Sequence, residues 1–438
     1  MVGFPLLVFQ KVGTLNSDPK NIMRLQTLIV AILASTIVSF TQVISYGETL
    51  DWPQWRGPTR DGAVKKGSPW PESIAKKALR QVWRKEIGKG YPGPVLSEEM
   101  VFTVESTKSK NELVRAFKRE SGDEVWKSDW KGSMRVPFFA WKNGSWVRST
   151  PAFDGENLYV GGMRDFLVCL DAKTGEKRWS VDFMKRYDSP LPSFGFVCSP
   201  LVEGDHLYVQ AGSGFVKLEK SSGKSIWRAL SDKGGMYGSA FSSPTVAKVV
   251  GKKQLLVQSR TTLAGIDPEK GKVLWQQPVK AFRGMNILTP TFYKNGIFTS
   301  SYGGKSLLFE LSNNDQGFKV GEKWQNRQEG YMSGPIVIGD YCYMHLRKQR
   351  MTCLDMRNGD TKWISEKSFG KYVSMVTNGK EILALDEDGT LYLIEASPEK
   401  LIIKEEREIS ADPSWAHLAI AGKQLFVREL EAIACYEW

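Results

Sequence analysis

The chain has 438 residues, 41% of them hydrophobic and 25% charged, which excludes wholesale disorder and leaves room for one large all-β domain or two to three smaller ones. Its 15 Trp and 41 Gly favour many short strands joined by tight turns. The formal charge of +12 is spread through short pairs such as Lys65-Lys66, Lys76-Lys77 and Lys252-Lys253, so nucleic acid is not the expected partner, while an anionic surface is compatible.

Residues 1–22 hold no clear element and read as lying upstream of the true start, Met23. Residues 23–47 have the plan of a signal peptide: Arg24, an apolar run over 28–40, then Ser45 and Gly47 as small residues before a cut. Ser35, Thr36 and Ser39 interrupt the run, which favours cleavage over a retained anchor. The protein is therefore expected in the periplasm or outside the cell. Residues 48–78 form an N-terminal extension with the motif Trp52-Pro-Gln-Trp-Arg-Gly-Pro, and 79–438 form the repeat region.

The repeats are hairpins of one pattern: an apolar strand, a turn closed by Gly, and a second strand reaching Trp four residues later. Asp171-Ala-Lys-Thr-Gly175-Glu-Lys-Arg-Trp179 is one copy, and Gly122 with Trp126, Gly223 with Trp227, Gly271 with Trp275 and Gly359 with Trp363 mark others. Gly supplies the positive φ of a tight turn, and the Trp is placed to pack between neighbouring units. Another strand pair precedes each hairpin, as in Ser149-Thr-Pro-Ala-Phe-Asp-Gly155-Glu-Asn-Leu-Tyr-Val160. Four strands per unit make a propeller blade. Trp83, Trp126, Trp179, Trp227, Trp275, Trp324 and Trp363 recur every 40–50 residues or so, a propeller period. One further unit, 382–408, keeps its hairpin but replaces the Trp with Leu401-Ile402-Ile403. The last unit lacks an outer strand, which the strand around Trp83 can supply. The expected fold is an all-β, eight-bladed β-propeller of four-stranded antiparallel blades, closed by pairing of N- and C-terminal strands, and working as a monomer.

Five cysteines in an exported chain leave an odd one. Cys169, Cys353 and Cys435 recur at one repeat position, which fits small buried thiols; a Cys342–Cys353 bridge within one blade is the alternative. Three His and no Cys-x-x-Cys pair leave no zinc site in view.

The hairpin Asp171 to Trp179 and the segment Trp52-Pro-Gln-Trp-Arg-Gly-Pro-Thr-Arg-Asp61-Gly resemble the pyrroloquinoline quinone (PQQ) repeat propellers of secreted bacterial type, over about 51–438. The resemblance implies the propeller fold and two functions. One is a quinoprotein oxidoreductase of alcohols or sugars, with PQQ and calcium on the axis. The other is a non-catalytic scaffold similar to the outer-membrane assembly propeller of the Bam complex. Such quinoproteins typically carry adjacent cysteines and a Glu, Asn and Asp set on calcium. No two cysteines are adjacent here, and Asp386-Glu387-Asp388-Gly389 reads as a tight turn. The expected function is therefore a binding or scaffold propeller of the cell envelope or extracellular space. It would use no cofactor and would hold an envelope protein, a peptide or a carbohydrate.

Connections from each outer strand to the next inner strand meet around a propeller's axis. Here they carry aromatic and small polar residues, and the one over 127–148 is the longest. The candidate ligand-binding residues are Trp146, Arg148, Tyr237, Asn286, Tyr331, Tyr372, Trp415 and His417; none is assigned as catalytic or metal-binding.

Overall fold

The computed structural model describes residues 52–108, 110–232, 234 and 240–438. The expectations for 1–47 lie outside these. The strands form eight four-stranded antiparallel sheets, and seven of them run outward from an inner strand in chain order. Blades 1 to 7 span 95–131, 152–182, 201–229, 245–278, 291–326, 336–368 and 373–408. Blade 8 combines 419–437 with the strand Arg80–Glu86, and Trp83 pairs with Cys435 to close the ring.

One contact joins most consecutive blades. The outer-strand indole lies against the hairpin glycine of the next blade and donates its Nε1–H to a carbonyl there. Trp83 reaches Arg119 O at 2.7 Å, Trp126 reaches Ala172 O at 2.9 Å, Trp179 reaches Lys220 O at 3.0 Å and Trp324 reaches Met356 O at 3.0 Å. A Cβ added to Gly223 would stand 2.7 Å from the Trp179 ring, and one on Gly122 2.6 Å from Trp83. The repeat glycine thus satisfies two demands, a positive φ (69° at Gly122, 67° at Gly223) and room for its neighbour's indole. Blade 5 has a longer outer hairpin without that glycine, and Trp275 turns back to Gln254 Oε1 at 2.7 Å.

The cysteines follow the same register. Cys169, Cys353 and Cys435 pair with Trp179, Trp363 and Trp83, as small residues beneath a large ring should. All five cysteines are buried and free, so no bridge joins Cys342 and Cys353.

Blade 7 departs from the expected substitution. The register position of the Trp is held by Glu405, opposite Leu393 and beside the same bulge, and not by 401–403. Blade 8 has no outer hairpin to receive an indole, because its outer strand comes from the other end of the chain. Ile74 and Leu79 fill the seam instead, both fully buried. Glu405 Oε2 accepts from Ser73 Oγ (2.9 Å), Ile74 N (2.8 Å) and Ala75 N (3.1 Å), while Arg407 Nη1 donates to Ile74 O and Leu79 O.

The extension before Arg80 is part of the fold. It crosses the propeller axis: Trp52 bridges to Leu96, Phe153 N donates to Pro53 O, and Val64 N donates to Thr377 O. Two buried arginines fix it to two blades three positions apart in the ring. Arg60 Nη1 and Nη2 donate to Pro200 O (2.7 Å) and Ser199 O (2.9 Å) before blade 3, and Arg56 Nη2 donates to Pro335 O (2.5 Å) before blade 6. Burial pulls Arg60 down to about 9 and Arg56 to about 10, so both stay charged at neutral pH.

Hairpins at one rim also join neighbouring blades. Glu112 accepts from Met163 N (2.6 Å) and Trp130 Nε1 (2.8 Å), and Asp165 accepts from Gly212 N (2.8 Å). Burial outweighs these bonds and pushes each carboxyl up to about 7.

Two stability predictions come from these contacts. Gly223→Ala should cost roughly 2 kcal/mol more than Gly204→Ala in denaturant unfolding, because both have positive φ but only Gly223 faces an indole. Equal costs would contradict the packing account. A carboxyl raised on folding favours the native state below its unfolded pKa and loses that advantage as pH climbs through the folded value. Stability should therefore fall between about pH 4 and 7, by on the order of 3–4 kcal/mol per group. Thermal melts of Glu112→Gln and Asp165→Asn should show a shallower decline over that window.

Candidate binding chamber on the propeller axis

The connections from outer to inner strands converge on one face and enclose a chamber of about 180 Å³. Tyr91 and Arg148 come from the two ends of blade 1. Phe194, Phe241, Met285, Tyr331, Tyr372 and Trp415 come in order from the six connections that follow. Trp55 of the crossing segment forms the floor. Both Arg56 and Arg60 place their guanidinium carbon 5.5 Å from its ring. On the far side of that segment a second hollow of about 450 Å³ is lined by Arg56, Arg60, Asp61 and Glu203.

One wall is a continuous aromatic stack. Trp146 meets Tyr91 edge-on at 5.6 Å, and Tyr91 stacks on Trp415 at 5.1 Å. Trp415 then stacks on Tyr372 at 6.4 Å, and His417 stands edge-on to Trp55 at 5.1 Å. Glu387 behind the wall accepts from Trp415 Nε1 (2.9 Å), which orients the indole. Tyr372 Oη lies 3.1 Å from His417 Nε2. Burial, followed by the charge of Arg56, holds His417 well below its ordinary pKa, so the ring is neutral at physiological pH.

Of the expected site residues, Arg148, Tyr331, Tyr372, Trp415 and His417 line the chamber together. Trp146 stands one layer back, supporting Tyr91 beneath Lys89. Asn286 does not face the chamber: its Nδ2 donates to Arg260 O (2.8 Å) and Val279 O (3.1 Å), tying down a connection whose Met285 and Ile287 do. Tyr237 lies outside the described residues.

Sequence reading passed over Trp55, Tyr91 and a set of hydroxyls at Thr150, Ser199, Ser243 and Thr289. These four recur as Ser/Thr-Pro just before an inner strand, and that recurrence is the signal that marks them. Thr150 Oγ1 accepts from Gly93 N (2.9 Å), Ser243 Oγ from Ser199 N (2.9 Å) and Thr289 Oγ1 from Ser243 N (3.2 Å). Each of these three oxygens is thus engaged as an acceptor, and its own proton is left to donate elsewhere.

Beside the chamber, the long connection folds a short 3₁₀ turn, Phe138–Asn143, across the face. Arg283 sits over Phe139 at 5.6 Å and over Phe282 at 5.1 Å. A hollow of about 250 Å³ beneath them shares Phe194, Phe241 and Tyr331 with the chamber. Phe138 is 76% exposed and Trp141 61%.

The family profile described as outer membrane protein assembly factor BamB matches residues 110–365. BamB of Moranella endobia (strain PCIT) is 22% identical over 77% of this chain and 85% of its own. The crystal structure of BamB from Moraxella catarrhalis superposes with a TM-score of 0.60 at 16% identity, covering 82% of this chain and 98% of that one. Quinohemoprotein alcohol dehydrogenase from Comamonas testosteroni gives 0.62 at 11% identity over 89% and 81%, a likeness of fold. The profile covers more than half of the chain, which therefore belongs to the PQQ-like propeller family of the outer membrane assembly factor BamB.

Proposed function

We propose that the protein is an exported, non-catalytic propeller of the cell envelope that grips a partner or ligand with the face bearing the axial chamber. The observation that carries the reading is the exposure of Phe138 and Trp141 beside a chamber walled by aromatic rings. Large aromatic side chains held in water beside a concave site are the usual mark of a recognition surface. The BamB relatives are named as assembly factors of the outer membrane, which fits a role in holding envelope proteins, peptides or carbohydrate as a single chain.

The residues present do not fit a calcium–quinone pair. Among the described residues no carboxylate lines the chamber, and the five cysteines sit in separate buried positions without bridging. Among the described residues no three His, Cys, Asp or Glu side chains stand close enough to share a metal.

Pull-down from envelope extract, with captured proteins identified by mass spectrometry, tests the reading. Wild-type protein should retain an envelope component that the Arg148→Gln/Trp415→Ala double variant loses at least tenfold, while circular dichroism of the two stays the same. A folded double variant that captures the same component equally well would refute the assignment of the site.

A further inference from the structure

We infer that the axial chamber takes a carboxylate-bearing ring, of the acidic-sugar (uronic acid) class. The inference rests on the chamber being a binding site and adds what it selects. Its lining offers a guanidinium and several hydroxyls as donors. Among the described residues Arg148 uses only Nη2, donating to Gly144 O at 2.9 Å, and its buried Nε has no partner there. No Asp or Glu forms an ion pair with it among the described residues. Its guanidinium instead stands 5.4 Å over the Tyr91 ring, which orients the fork without neutralising it.

The hydroxyls of Thr150, Ser243 and Thr289 already accept backbone N–H groups, so what they have left is a proton. His417 is neutral and engaged with Tyr372, and Glu387, behind the wall, accepts from Trp415 Nε1 and from Lys371 N. A chamber with donors, an uncompensated guanidinium and no carboxylate among its described lining residues favours a ligand rich in acceptors and carrying negative charge. About 180 Å³ holds one substituted six-membered ring rather than a folded segment. Donors spaced around the axis match the ring oxygens and hydroxyls of a sugar, and the Trp55 floor matches its apolar face.

Titration of the full chain with glucuronate, glucose and 4-hydroxybenzoate tests this, read by calorimetry and by Trp fluorescence. Glucuronate should bind at least tenfold tighter than glucose. Arg148→Gln should weaken glucuronate by about 10- to 100-fold, at least tenfold more than it weakens glucose, closing the gap. Arg148→Lys, which keeps the charge but not the fork, should fall between, and it carries the test if the Gln variant melts early. Equal binding of glucuronate and glucose, or a gap that survives Arg148→Gln, overturns the inference. So does tighter binding of 4-hydroxybenzoate, which would mean an aromatic acid. Absence of any response to the three probes also overturns it. The proposed function then still stands if envelope capture depends on Arg148 and Trp415, and falls with the inference if it does not.

Discussion

The contact between an outer-strand indole and the next blade's hairpin glycine is what the rest of the structure depends on. A four-stranded blade cannot bury both its faces alone, and each must borrow a surface from its neighbour. The Trp supplies that surface, and its N–H bond to the neighbour's carbonyl fixes how far one blade is rotated against the next. Repeated around the ring, this sets the radius at which the inner strands stand, and so the width of the axial space the connections overhang. The chamber's dimensions follow from packing at the outer edge.

A ring of this size leaves its middle open, and the chain closes it with its own N-terminal segment. Arg56 and Arg60 answer a specific need: inner-strand starts present carbonyls toward the axis, and a guanidinium can satisfy two of them at once. The same two cations hold Trp55 flat beneath the chamber. Plug and site floor are therefore one structure, and blade closure through Trp83 follows directly along the chain.

The hairpins, the strand count and the clasp were legible because each rests on local or nearest-neighbour rules: positive φ at Gly, alternation in strands, and Trp at a constant offset. Glu405 was not legible. A bulge moves the register by one, and the groups that replace the missing indole, Ile74 and Leu79, lie more than three hundred residues earlier. The site divided in the same way. Aromatic residues next to inner strands, such as Tyr372 and Trp415, line the chamber because the connections have to turn there. Asn286 sits in an equivalent stretch yet points inward to two carbonyls, a choice of rotamer that spacing does not encode. The motif Trp52-Pro-Gln-Trp-Arg-Gly-Pro was conspicuous in sequence, but its receptor is carbonyls from blades far apart in the chain.

Everything proposed for the face assumes that residues 52–64 cross the axis and floor the chamber. Hydrogen–deuterium exchange of the full chain reads this directly. The amides of Gly57, Gly62 and Val64, bonded to Gln54 O, Arg56 O and Thr377 O, should exchange as slowly as those of the inner strands. Exchange of that segment at the rate of an exposed loop would contradict the account, since a chamber without its floor would be an open channel.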